Sequence, residues 1–218
     1  MDLREKAIEF TREKLKQSLT PDLIIIQYAH LSESLNKTNL ILIKKLKDIL
    51  QIEFPELLDK IKDEKRLIEI ISEKSLEEIK QTYVKETIGK QNLEIIKQLS
   101  LKIQGIKELK NQTDKYIENL LTNHYPLLTK TAGSYIASRL LMQASSAENL
   151  AKMPSSKIQI LGAEKAFFQS QQNQTRTPRF GVIAQHSSIS RLPESQKARE
   201  ARALASAISK AIKQDYFK

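Results

Sequence analysis

Cysteine is absent from this chain of 218 residues, which excludes disulfides and thiolate zinc sites. The three histidines, His30, His124 and His186, lie far apart and form no ligand-spaced cluster, so no metal is implied. Glycine and proline are scarce, at five and six, while 28% of the residues are charged. That balance describes a mostly helical chain with few loops. Apolar runs are short, and none reaches the roughly 18 residues that a membrane-spanning helix requires. The first ten residues, MDLREKAIEF, are charged and lack the apolar centre of a signal peptide, so a cytoplasmic or nuclear protein is expected. Missing too are a Gly-rich phosphate loop, an HExxH pair and a nucleophile elbow. Nothing alternates between strand and helix as a cofactor-binding α/β sheet would. The expectation is a protein without catalytic residues, cofactor or metal.

Acidic residues also become rare, but only in part of the chain. Residues 1–125 carry 22 Lys/Arg and 21 Asp/Glu, whereas residues 126–218 carry 14 and 5. Nearly all of the net charge of +10 therefore sits in the second part. The balanced part reads as a self-solvating helical element. The skewed part reads either as a footprint for a polyanion or as a merely soluble basic surface.

Periodicity divides the chain at the same place, into domains of residues 1–125 and 126–218. A short charged helix is expected over 2–19. Thr20-Pro21-Asp22 then forms a helix start, with Thr20 as N-cap, Pro21 where a missing N–H costs nothing, and Asp22 at the positive dipole end. The helix that follows should run to about Gln51, with a coiled-coil-like seam of Ile24, Tyr28, Leu31, Leu35, Leu42, Leu46 and Ile49. Phe54-Pro55 breaks it. Smaller helical pieces follow, one opening at Ser75 with capping-box spacing. A second long helix is expected from about Ile88 to Asn123, with a stripe of Ile88, Ile95, Leu99, Ile103, Ile106, Leu109, Tyr116 and Leu120. Neither long helix is stable alone. Paired antiparallel they make a hairpin roughly 45 Å long; packed otherwise they belong to an ordinary bundle. Ile25, Ile26, Leu40, Ile41 and Ile43 lie off the seam, an apolar surplus that suggests dimerisation through residues 22–123.

Pro126 opens the second part. A helix is expected through Gly133 to about Gln143, carrying Ile136, Leu140 and Leu141. A short one follows from Ser146, with Ala147, Leu150 and Met153 inward. Residues 157–171 are read as one helix with Ile158, Leu161 and Phe168 on a shared face. Gly162 in its interior costs about 1 kcal/mol relative to alanine and suggests close approach by another group. The polar stretch QQNQTRTPRFG is read as an exposed loop. Pro193 starts a last helix to about Gln214. Ala201, Leu204, Ala205, Ile208, Ala211 and Ile212 share one side, and Arg199, Arg202, Ser206, Lys210 and Lys213 the other, within about 80° of arc. Such a basic stripe is either a solvated face or a phosphate contact.

Four segments in order, MPSS within MPSSKIQILGAEKAFF, then GAEK, TPRFG and ARALA with the terminal DYF, resemble the signature of the Nop domain family. REKAIEFTREKLKQSLTPDLIIIQ and FPEL are similar to the coiled-coil region of the archaeal box C/D ribonucleoprotein scaffold, a Nop56/58-like core. The resemblance implies an all-α protein, a long antiparallel coiled-coil hairpin followed by a compact helical Nop domain, without enzymatic activity. It implies docking on a box C/D-type guide RNA whose kink-turn already carries a small kink-turn-binding ribosomal-protein-like protein, in an archaeal-type cytoplasm. Pairing with itself or a longer paralogue would run through the coiled coil. Gly162, Ala163, Glu164 and Lys165 would be the contact motif, the lysine meeting phosphate and the glutamate accepting from a basic partner or backbone. Arg176, Arg179, Arg199 and Arg202 would add basic groups on the same surface.

Three departures from the family pattern bear on function. The domain that recruits the fibrillarin-type methyltransferase does not precede Met1, so contact with that enzyme is expected only indirectly. Where archaeal scaffolds have Ala-Leu-Phe-Arg, this chain has Ala166-Phe167-Phe168-Gln169, so Gln169 replaces the arginine expected at the guide duplex. Gln185-His186-Ser187-Ser188-Ile189 with Leu192-Pro193 is closer to the spliceosomal pre-mRNA-processing relative, which implies that His186 stacks on RNA bases. Two other functions stay open: a protein-interaction adaptor, and a general RNA-binding protein without kink-turn preference.

Overall fold

The computed structural model describes residues 3–73, 90–172 and 180–218. Among them there is helix and no strand. The helices are α1 (Leu3–Ser18), α2 (Pro21–Glu53), α3 (Pro55–Lys60), α4 (Glu64–Glu73), α5 (Lys90–His124), α6 (Pro126–Ala144), α7 (Ala147–Lys152), α8 (Ser155–Ile160), α9 (Glu164–Gln172), a 3₁₀ turn (Val182–Gln185), α10 (Ser187–Ser190) and α11 (Glu194–Tyr216). At about 1.5 Å per residue, α2 and α5 are each about 50 Å long. They form the antiparallel hairpin. The capping-box reading at Ser75 and the stripe position Ile88 lie outside the described residues.

The chain divides into two compact units, residues 1–30 with 114–218 and residues 31–113. In the second, Leu46 and Leu50 of α2 meet Ile96 and Ile103 of α5 and Leu67, Ile68 and Ile71 of α4. Phe54 stands between α2 and α3, 1% exposed, because Pro55 ends one helix and begins the next. Gln104 of α5 donates to the Ser72 hydroxyl at 2.7 Å, which in turn donates to the Glu69 carbonyl.

The first unit joins the base of the hairpin to the C-terminal helices. Ile25, Ile26 and Ala29 of α2 and Ile117 and Leu121 of α5 share one core with α6, α7, α8 and α11. This corrects the expected seam. Ile25 and Ile26 are buried in their own chain rather than surplus, while Ile24, Tyr28 and Leu31 are exposed. In α5 Ile96, Ile117 and Leu121 are buried where Ile95 and Tyr116 were expected, while Ile103 is buried as expected and Leu120 packs partly buried against the core. Tyr28 and Tyr116 still meet edge to face across the hairpin, ring centres 4.8 Å apart.

Two buried carboxylates close the joint. Asp22 accepts the Ala147 N–H at 2.7 Å, at the start of α7. Asp215 accepts the Leu128 N–H at 2.8 Å, in the first turn of α6, where Tyr125 offers no side-chain cap. Each therefore serves a helix N-terminus far away in sequence, meeting orphan amides and the positive dipole end. Tyr125 is buried near both. Burial first, then the charges of Asp22, Tyr216 and Asp215, push its phenol well above the usual range and keep it neutral.

Candidate nucleic-acid interface

The segment expected as one helix over 157–171 is two helices with a turn between them. α8 ends at Ile160, Leu161 leaves helical geometry at ψ 128°, and Gly162 takes φ +86°. A positive φ there favours glycine, because a Cβ would strain the backbone. The Ala163 N–H donates to the Ile160 carbonyl at 3.0 Å, and Glu164 opens α9. Its carboxylate turns back to accept the Gly162 N–H, with both oxygens at 2.9 and 3.0 Å. Glu164 thus shapes the turn from within. Ile158 and Leu161 are buried as expected, but Phe168 is 61% exposed, since the turn rotates α9 out of the phase of α8.

A second backbone segment lies against this turn. The Gly181 N–H donates to the Gln159 carbonyl and the Val182 N–H to the Leu161 carbonyl, both at 2.8 Å. A Cβ on Gly181 would stand 1.9 Å from the Leu161 oxygen, and one on Gly162 would stand 2.7 Å from Val182 Cγ2. The glycines of GAEK and of TPRFG are therefore two sides of one close approach. Gln143 of α6 forms a third side, its Cγ and Cδ 3.6 and 3.7 Å from the same Gly162 position. Sequence reading missed Gln143 as a neighbour of the motif, since nothing local links it to a turn 19 residues later.

From Val182 the 3₁₀ turn leads to His186, which is the N-cap of α10 and not a free loop side chain. Its Nδ1 accepts the Ser188 N–H at 3.2 Å and lies 2.8 Å from the Ser188 hydroxyl. In the neutral ring that leaves the proton on Nε2. α11 packs on α8, on the 3₁₀ turn and on α10. All six residues of its expected apolar face are buried. Arg199 and Arg202 are on its exposed side, where Arg202 Nε donates to the Ala198 carbonyl at 3.1 Å. Gln169 is exposed on α9. Lys165 belongs to the first turn of α9, its side chain outside the described part, and Arg176 and Arg179 lie outside the described residues. The turn with Gly162 and Ala163 thus lies against the segment that leads to His186, and α11, which carries Arg199 and Arg202, packs on α8, on that segment and on α10.

α6 carries one further correction. Gly133 has φ +75° and ψ 153°, so the expected continuous helix is kinked there. Ile136, Leu140 and Leu141 beyond the kink are buried as read. Among the described residues, no group of three acidic, His or Cys side chains is placed to hold a metal, and no helix is long and apolar enough to cross a membrane.

Residues 31–218 match the family model described as Nop, snoRNA binding domain, fibrillarin. A NOP5 family protein of Methanocaldococcus jannaschii is 32% identical over 95% of this chain and 56% of its own length. Nucleolar protein 56 of Caenorhabditis elegans is 33% identical over 71% of this chain and 33% of its own length. Nucleolar protein 58 of Lodderomyces elongisporus is 31% identical over 94% of this chain and 44% of its own length. The chain spans about half the length of these relatives, or less. A crystal structure of a fibrillarin/Nop5p complex aligns with 99% of this chain and 70% of the chain it contains, at a TM-score of 0.62 and 25% identity.

Proposed function

The chain belongs to the Nop family, and from that premise we propose that it is a non-enzymatic RNA-binding scaffold of a box C/D-type guide ribonucleoprotein. Residues 126–218 dock on a kink-turn RNA that already carries its small kink-turn-binding protein. Residues 1–125 serve assembly, pairing with a second copy or a longer paralogue. Exposed Leu40, Ile41 and Leu101 on the hairpin support that role. Assembly takes place in an archaeal-type cytoplasm.

The observation that carries the reading is the Gly162–Glu164 turn. It presents a tight glycine corner at the start of a helix, on a part of the chain with 14 basic and 5 acidic residues. A small-residue corner lets an RNA backbone or a partner loop come close, and basic side chains nearby supply phosphate contacts. His186, locked by its Nδ1 bond, offers a ring for stacking.

Substitutions separate these roles. Lys165→Ala and Arg202→Ala are expected to weaken binding to the RNA–protein complex at all sequences alike, each lowering the salt slope by about one. His186→Ala should instead cost roughly tenfold in affinity with the slope unchanged, since stacking is nearly independent of salt. Fluorescence anisotropy across a series of salt concentrations reads both. Unchanged slopes for the two basic variants would remove this surface from RNA contact and favour the adaptor reading.

A further inference from the structure

We propose that α6 carries a second RNA contact, a track of Tyr135, Arg139 and Gln143 that continues the Gly162–Glu164 turn and takes unpaired nucleotides. This rests on the RNA-binding reading above and adds to it a site outside the signature motifs.

The three residues are spaced i, i+4 and i+8, so they line one face of the helix over about 12 Å. One end is fixed by Gln143, which is exposed and touches the Gly162 position. The other end is Tyr135, a large aromatic that is 55% exposed. Arg139 links them. Its guanidinium donates to the Tyr135 hydroxyl at 2.7 Å, and its carbon lies 5.5 Å from the ring centre. Two residues before Tyr135, the kink at Gly133 leaves nothing within 4 Å of where a Cβ would stand.

The chemistry of the track fits nucleotides. An exposed tyrosine offers a face on which any base stacks, a guanidinium meets phosphate or a base edge, and a primary amide reads hydrogen-bonding edges. α6 contains no aspartate or glutamate along its length, so nothing on the helix repels phosphate. A protein-docking surface would be expected to have a larger apolar centre. Here the tyrosine ring supplies the aromatic surface of the track, held by a cation.

The chain has no tryptophan, so Tyr135→Trp introduces a single reporter whose emission a stacked base quenches. Quenching is expected when the kink-turn RNA with its bound small protein is added to the full chain. Tyr135→Leu should weaken binding roughly tenfold at every salt concentration, whereas Tyr135→Phe keeps most of the affinity. Position 135 is more than half exposed, so the helical circular dichroism should be that of the parent in all three. If the complex forms with the tryptophan emission unmoved, the track is wrong and the Gly162 site stands. Quenching by the small protein without RNA makes the track a protein contact and overturns the proposal. If the parent chain binds no kink-turn RNA in any combination, both readings fall together.

Discussion

Gly181→Ala is expected to cost about 4 kcal/mol of stability, near the top of the range for a single substitution, and to abolish binding at the GAEK turn. The added Cβ would stand 1.9 Å from the Leu161 carbonyl oxygen and 2.6 Å from the carbonyl carbons of Ile160 and Leu161. All three are backbone atoms, so no side-chain rotation relieves the clash. The segment must move away, breaking the bonds from Gly181 to Gln159 and from Val182 to Leu161. Val182 and Ile183, both buried, are drawn out of the core with it. The other glycines grade the effect. Gly162→Ala meets both a positive φ and the Val182 methyl, and Gly133→Ala meets only a positive φ, for roughly 1–3 kcal/mol. Gly105→Ala lies in α5 with open space around it and should stabilise by about 0.5–1 kcal/mol. Thermal melts of the four variants check the order, and a Gly181→Ala melt equal to that of the parent would refute the close approach.

Asp215→Ala should be the second large effect, about 2–3 kcal/mol. It removes the acceptor of the Leu128 N–H and leaves a buried amide and a helix N-terminus unsatisfied. Asp215→Asn keeps an acceptor oxygen and should cost roughly half as much. Asp22→Ala acts at the start of α7 in the same way. The two carboxylates share Tyr125 as a neighbour, so the double variant should cost more than the sum of the single ones, because each single substitution already relieves their mutual repulsion. Denaturant unfolding of the three variants measures this. Strict additivity would show that the two caps are independent.

The same residues show what the sequence reveals. α11 was readable throughout, because one face holds Ala201, Leu204, Ala205, Ile208, Ala211 and Ile212 and the opposite face is basic. Prolines marked the starts of α2 and α6, where a missing N–H does no harm, and Pro55 the break after α2. The phase of the hairpin was readable at Leu46 and Ile103 but not at its base. Ile24, Ile25 and Ile26 are consecutive, so periodicity is satisfied by more than one face, and contact with Ile117 and Leu121 decides which turns inward.

Gly162 misled for a related reason. Ile158, Leu161 and Phe168 fit a continuous helix, and only the opposing Gly181 reveals that the backbone turns there. A pair of glycines in two separate motifs was the available signal. Asp22 was legible as a residue suited to a helix start. Its actual partner, the Ala147 N–H, lies 125 residues away and leaves no local trace. His186 as an N-cap left no such signal either, since N-cap statistics favour Ser, Thr, Asp and Asn over an imidazole.

The central claim is that the chain recognises RNA and its small bound protein as one surface. It is tested most directly by titrating the chain against a box C/D-type guide RNA with and without the kink-turn-binding protein, at one fixed salt concentration. The account predicts weak, salt-sensitive retention of the naked RNA and retention at least a hundredfold tighter once the small protein is bound. Equal affinity for the two would contradict it.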